Sequence, residues 1–211
     1  MKLYGFPPSP RTWVVRAVAA QLGIPVEFEF VDLTKGQQHA AEYRALNPTG
    51  RAPTLVDGDF KLWEATAIMH YLAGQKPTTL WPDNVRTRAD IVRWQSWTLA
   101  HWEKESCAPL LFQRVVKQIV GAGPPDEAVV ARALENFARD AKVLEAHLAG
   151  QLYLVSNALT LADFSVAGPL FYAERAALPV ADYPKLREWF GRVAALPCWQ
   201  ATAPQFAAAA A

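Results

Sequence analysis

Sulfur is scarce in this chain: two cysteines, Cys107 and Cys198, and two methionines among 211 residues. The cysteines lie far apart in helix-like surroundings, so no disulfide framework is implied and both read as packed, inert thiols. Excess charge is missing too. The 21 Lys and Arg against 20 Asp and Glu leave a formal net charge of +1, which gives no basic field for nucleic acid and no pull on an acidic partner. No apolar run approaches the ~20 residues of a membrane span. The opening Met1-Lys2-Leu3-Tyr4 is strand-like and lacks the charged-then-apolar pattern of a signal peptide. A soluble, cytoplasmic protein is the expectation. The four histidines, His39, His70, His101 and His147, form no short-spaced pair, so no metal site is expected. No glycine-rich phosphate loop occurs either; Gly121-Ala122-Gly123-Pro124-Pro125 reads as an interhelical turn.

What is present is apolar material, 52% of the chain, enough for one or two compact domains. The first third mixes two periods. Lys2–Tyr4 reads as a strand, and Arg11–Leu22 as an amphipathic helix stopped by Gly23 and Pro25. Val26–Val31 alternates as a strand, and Ala40–Leu46 reads as a short helix ended by Asn47-Pro48. Thr54–Val56 and Phe60–Leu62 flank Asp57-Gly58-Asp59, a hairpin signal, and Glu64–Ala73 returns to the helical period. The order βαβαββα implies a parallel crossover plus an antiparallel edge pair.

Gly74–Asp83 turns to Gly, Lys, Pro and Thr and reads as a linker. Helical patterns follow: Val85–Val120 with a bend near Pro109, then Asp126–Ala149, a helix opened by Thr160-Leu161-Ala162-Asp163, and Tyr183–Leu196. Thr160 with Asp163 three residues on is a capping-box start. The terminal Ala207–Ala211 is expected to fray. The expected domains are therefore residues 1–75 and an all-helical 84–211.

Several motifs carry a resemblance. Asn47-Pro48-Thr49-Gly50-Arg51-Ala52-Pro53-Thr54-Leu55, the hairpin through Glu64-Ala65-Thr66-Ala67-Ile68, Leu161-Ala162-Asp163-Phe164 and Tyr183-Pro184-x-Leu186-x-x-Trp189 span nearly the whole chain. In these stretches the sequence resembles the glutathione transferases. Gly5–Thr12, with a serine ahead of the first helix, is most similar to the serine-type phi and theta classes. The resemblance implies an α/β thioredoxin-like domain that binds glutathione, and an all-α domain that contributes a hydrophobic substrate site and dimer contacts.

Carried over residue by residue, Ser9 is the expected catalytic hydroxyl, donating to the thiolate at a helix N-terminus; as a plain reading of the residues it is an N-cap. Pro53 is expected to follow a cis bond, turning the Ala52 backbone toward an extended peptide ligand. Glu64 is expected to accept from the γ-glutamyl ammonium, and Gln38, His39 and Arg51 to meet the glycyl carboxylate. Ala65 departs from the family's Glu-Ser pattern. The missing hydroxyl weakens glutathione binding in expectation, while backbone N–H groups at the helix start remain available. For the second substrate, a small hydrophobic electrophile, the candidates are Phe6, Pro8, Trp102, Ser106 and Leu110.

The implied activity is activation of the glutathione thiol for attack on an apolar electrophile, with glutathione as co-substrate and no metal. Peroxide reduction or dehalogenation in the same site, and a non-catalytic binding or regulatory member of the fold, are the alternatives. A homodimer is implied, with Ala67, His70, Arg86 and Arg88 as candidate contacts.

Overall fold

A computed structural model describes residues 1–204; the Ala207–Ala211 stretch lies outside the described residues. The described residues divide into two compact units, Met1–Pro77 joined by residues 195–204, and Thr78–Ala194.

In the first unit the elements are β1 (Lys2–Gly5), α1 (Pro10–Leu22), β2 (Glu27–Phe30), α2 (Ala41–Arg44), β3 (Thr54–Asp57), β4 (Phe60–Trp63) and α3 (Ala65–Ala73). The sheet runs β2-β1-β3-β4, with β1 parallel to β2 and antiparallel to β3. This is the thioredoxin-like βαβαββα arrangement that the motifs imply. The α1 crossover makes the parallel pair possible, and Gly58 at φ 62° closes the two-residue loop between β3 and β4. Trp13, Val14, Val15, Ala17 and Val18 of α1 are buried. Pro10 sits in the first turn, and Gly23 ends the helix at φ 63°, its N–H reaching the Ala20 carbonyl at 3.0 Å.

The second unit is helical. One continuous run comprises α4 (Val85–Trp97), a wider-wound Thr98–Cys107, α5 (Ala108–Leu111), a second wide stretch Phe112–Val116, and α6 (Lys117–Ile119). Pro109 cannot supply the N–H that an α-helix would aim at the Glu105 carbonyl, and Asn136 Nδ2 takes that acceptor at 3.2 Å. Then follow α7 (Glu127–His147), α8 (Leu161–Ala167) and α9 (Pro184–Ala194). Asp163 is the hub at α8. Its Oδ2 accepts from Thr160 N–H at 2.8 Å, and its Oδ1 from Leu154 N–H at 3.0 Å and Trp189 Nε1 at 2.9 Å.

Two boundaries differ from the sequence expectation. The presumed linker is half structural, since Leu80 is buried and its carbonyl accepts from Leu161 N–H at 3.0 Å within the helical unit. The pattern over Tyr183–Leu196 stops at Ala194, and α10 (Pro197–Thr202) packs back on α1, with Trp13 and Trp199 rings 3.8 Å apart and steeply inclined. Residues 195–204 therefore group with the first unit and not with the helical one.

Candidate functional site

Strand direction alone gathers the candidate residues of the first unit. Tyr4 pairs with Thr54, and Thr54 with Trp63. The end of β1, the start of β3 and the end of β4 therefore share one edge of the sheet. The loop to Ser9 and α1, the Ala52–Pro53 bond, and Glu64 with the start of α3 all emerge there.

Ser9 occupies the N-cap of α1 with extended backbone, φ −73° and ψ 123°. Thr12 N–H donates to its Oγ at 3.4 Å, a long and weak bond. The cap reading is thus present, and it uses only an acceptor; the half-exposed hydroxyl keeps its hydrogen to donate. No acidic residue stands in the first turn of α1, so nothing there opposes a negative charge brought to the helix N-terminus. Thr12 Oγ1 in turn accepts from Phe6 N–H at 3.3 Å, fixing the loop. Gly5 is required beneath it, because an added Cβ would overlap Thr12 Cγ2.

The Ala52–Pro53 peptide is cis. The segment before it is clamped from behind. Tyr43 Oη and Asn47 Nδ2 donate to the Arg51 carbonyl at 2.6 and 2.8 Å, and both also reach Thr54 Oγ1, at 3.0 and 3.1 Å. Asn47 Oδ1 closes its own turn by accepting from Thr49 N–H at 3.0 Å. Against this rigid backing, the Ala52 N–H and C=O have no hydrogen-bond partner among the described residues. Half-exposed backbone groups of this kind are what an extended peptide would pair with.

Glu64 precedes α3 with φ 73° and ψ 119°, a left-handed conformation that costs a non-glycine residue roughly 1–3 kcal/mol. The expected helix start at Glu64 is therefore corrected: the helix begins at Ala65. The exposed Glu64 side chain makes no cap hydrogen bond, so the first N–H groups of α3 are left without a side-chain acceptor. Ala65 itself is buried.

Gln38 and His39 lie in the single turn Gln37–His39. Gly50, at φ 62°, brings the Arg51 loop against them; a Cβ there would stand 3.2 Å from the Gln38 carbonyl and 3.5 Å from His39 Nδ1. Gln38 Nε2 reaches His39 Nε2 at 3.2 Å, whereas Gln38 Oε1 is buried with no partner. Gln37, which the motifs do not mark, anchors this loop by accepting from Asp32 N–H at 2.7 Å. Arg51 is exposed.

Phe6 and Pro8 are half-buried, and Phe6 packs on Phe30 with ring centroids 6.0 Å apart. The other three substrate-wall candidates are corrected. Trp102, Ser106 and Leu110 are each 0% exposed. Trp102 stacks on Trp97, packs on Phe137, and donates from Nε1 to the Val166 carbonyl at 3.0 Å. Ser106 Oγ donates to Asp140 Oδ2 at 2.7 Å, and Arg139 Nε reaches the other oxygen of that carboxylate at 2.9 Å. A side chain with no exposed surface has none to offer a ligand, so these residues are the core of the helical unit. Tyr43, Asn47 and Thr54 brace the segment before Pro53, a role that motif reading did not assign to them; the Asn-Pro-Thr-Gly turn signal was the available clue.

Among the described residues no group of His, Cys, Asp or Glu could hold a metal ion, and no helix is long and apolar enough to cross a membrane.

Residues 1–74 match the glutathione S-transferase N-terminal domain family, and residues 127–192 the glutathione S-transferase C-terminal domain family. Glutathione S-transferase 3 of Zea mays is 37% identical over 96% of this chain and 92% of its own length. Glutathione S-transferase theta-2B of Homo sapiens is 32% identical over 84% of this chain and 73% of its own. Among solved structures, glutathione S-transferase I from maize in complex with an atrazine glutathione conjugate superposes with a TM-score of 0.87 at 27% identity, covering 96% of this chain and 95% of the other. With both domain families matched in order on a thioredoxin-like sheet and a helical unit, the chain belongs to the glutathione S-transferase family and is phi- and theta-like within it.

Proposed function

We propose that this chain is a catalytic glutathione transferase in which Ser9 stabilises the thiolate of bound glutathione for attack on a small apolar electrophile. The observation that carries the reading is the Ser9 hydroxyl, whose hydrogen is free to donate at the mouth of α1. It shares one sheet edge with the unpaired Ala52 backbone and the outward-turned Glu64.

The chemistry required is modest. A free thiol near pKa ~8.5 is only a few per cent thiolate at neutral pH, and the thiolate is the nucleophile. Lowering that value to about 6.5 makes roughly three quarters of the bound thiol reactive and requires about 2.7 kcal/mol of differential stabilisation. One charge-assisted hydrogen bond and a helix N-terminus are together of that size. Ala52 would pair with the peptide backbone, the Glu64 carboxylate with the γ-glutamyl ammonium, and the N–H groups starting α3 with the γ-glutamyl carboxylate. Gln38 and His39, with the Arg51 side chain, would face the glycyl end. The maize relative's glutathione conjugate supports a small electrophile as second substrate. A homodimer remains part of the proposal, and sedimentation velocity tests it; Arg88 is less available for it than expected, being held to Pro82 and Asp83.

The deciding experiment titrates the ultraviolet thiolate band of bound glutathione in the parent and in Ser9→Ala. The bound-thiol pKa should rise by one to two units, about 1.4–2.7 kcal/mol, with turnover falling far more than affinity. An unchanged pKa with unchanged turnover would remove Ser9 from the mechanism.

A further inference from the structure

Past Thr12, the buried residues of helix α1 are all apolar, and the charged Arg16 sits half-buried among them between Val15 and Ala17. Its guanidinium has five N–H donors, yet its contacts are few: a long 3.5 Å bond from Nη1 to the Thr202 carbonyl and a stacking contact 4.8 Å over the Phe28 ring. No carboxylate pairs with it among the described residues, and burial with no opposing acid holds its pKa below the ordinary value. Beside it opens a pocket of about 220 Å³ lined by Leu3, Ala19, Ile24, Val26 and Phe28. Ile24 and Val26 precede β2, so the pocket lies at the edge of the sheet opposite Ser9, Pro53 and Glu64.

A half-desolvated cation with no counter-ion among the described residues, at the lip of a largely apolar cavity, is complementary to one ligand chemistry: an anion attached to a small hydrocarbon body. A planar guanidinium matches a carboxylate through two parallel N–H···O bonds. The volume sets the body. A cavity of about 150 Å³ holds benzene, so this one accommodates a single ring or a short alkyl chain and not a drug-sized molecule. We propose that the Arg16 pocket is a second ligand site, separate from the candidate glutathione site, that binds small monocarboxylates with an apolar aryl or alkyl body. The apolar walls select the body and Arg16 selects the charge. The interaction needs nothing from Ser9, so the inference stands apart from the catalytic reading.

The probe is 3-phenylpropionate, with 3-phenylpropionamide and inorganic phosphate as controls, titrated into the labelled full chain and followed by amide chemical shifts. The carboxylate should give saturable shifts at Ala19, Ala20, Phe28 and Thr202, with and without saturating glutathione. The amide should bind at least tenfold more weakly, and phosphate should not saturate. Arg16→Met, which keeps the stem and removes the charge, should weaken the carboxylate tenfold or more, and Arg16→Lys should restore part of that loss. Denaturant unfolding of each variant checks that the unit is intact. Equal affinity for acid and amide, equal response to phosphate, shifts that map elsewhere or vanish with glutathione, or unaltered binding in Arg16→Met would each overturn the proposal. If Arg16→Met does not fold, the amide comparison and Arg16→Lys decide alone.

Discussion

Replacing Asp163 with alanine removes one carboxylate and orphans the donors that converge on it. The N–H groups of Leu154 and Thr160 and the Trp189 indole lose acceptors at 3.0, 2.8 and 2.9 Å, all in buried surroundings, while the Thr160 hydroxyl can turn to another partner. Each buried donor left unpaired costs about 1–3 kcal/mol, and opening a buried polar network typically totals about 3–5 kcal/mol after relaxation. For a chain of this size roughly 2–4 °C of melting temperature accompanies each kcal/mol, so the variant should melt about 6–20 °C below the parent. Asp163→Asn keeps the shape and one acceptor and should fall between them. The pH dependence has a definite sign. Burial is the largest influence on the Asp163 carboxyl and pushes it above its ordinary 3.8, while its hydrogen bonds pull it back. The folded state thus holds this proton more tightly than the unfolded chain. The contribution is fully present below the ordinary value and is lost as pH rises through the folded one. The stability gap between the parent and Asp163→Asn should therefore narrow as pH rises from about 3 toward neutrality. Melting followed by tryptophan fluorescence across pH reads all of this. A parent-like melt for Asp163→Ala, or lost turnover without lost stability, would refute the reasoning.

Further expectations follow from the sheet edge and the thiols. Ala65→Ser should tighten glutathione by no more than the ~1.5–3 kcal/mol of one charge-assisted bond, visible in Kd or KM with little change in kcat. If the parent and the serine variant both fail to bind glutathione, the deficit lies elsewhere and the non-catalytic reading takes over. Gly5→Ala should destabilise the first unit by about 1–3 kcal/mol through overlap with Thr12, and Thr12→Ser should recover part of that loss; strictly additive effects in denaturant unfolding would contradict the contact. Burial raises the thiol pKa of Cys107, with Glu103 and Asp140 adding to it, and burial raises that of Cys198 too. The thiolate fraction at any pH below those values is thus smaller than for an ordinary cysteine, and iodoacetamide should label neither until denaturant is added. Rapid labelling of the folded chain, read by mass spectrometry, would show the thiols are not sealed.

The sequence by itself determined the local backbone. Period-two and helical stretches, the Asp-Gly turn, Gly23 and the Thr160–Asp163 cap each act within a few residues, where sterics and capping hydrogen bonds decide. The resemblance named Ser9, Ala52, Pro53 and Glu64 as site residues, and the sheet order with β1 antiparallel to β3 is what brings them to one edge. What only the tertiary structure decided is what each side chain meets. The aromatic spacing around Trp102 is that of a core stripe and also admits an exposed wall, and packing against Phe137 and Val166 made it core. The helix start was read one residue early because the sequence does not mark Glu64 as left-handed; strain at a non-glycine residue persists only where the surroundings impose it. The return of α10 to α1 and the solitary setting of Arg16 depend on contacts between residues 186 positions apart, and a pattern local to the chain has no way to encode which distant surface will cover it.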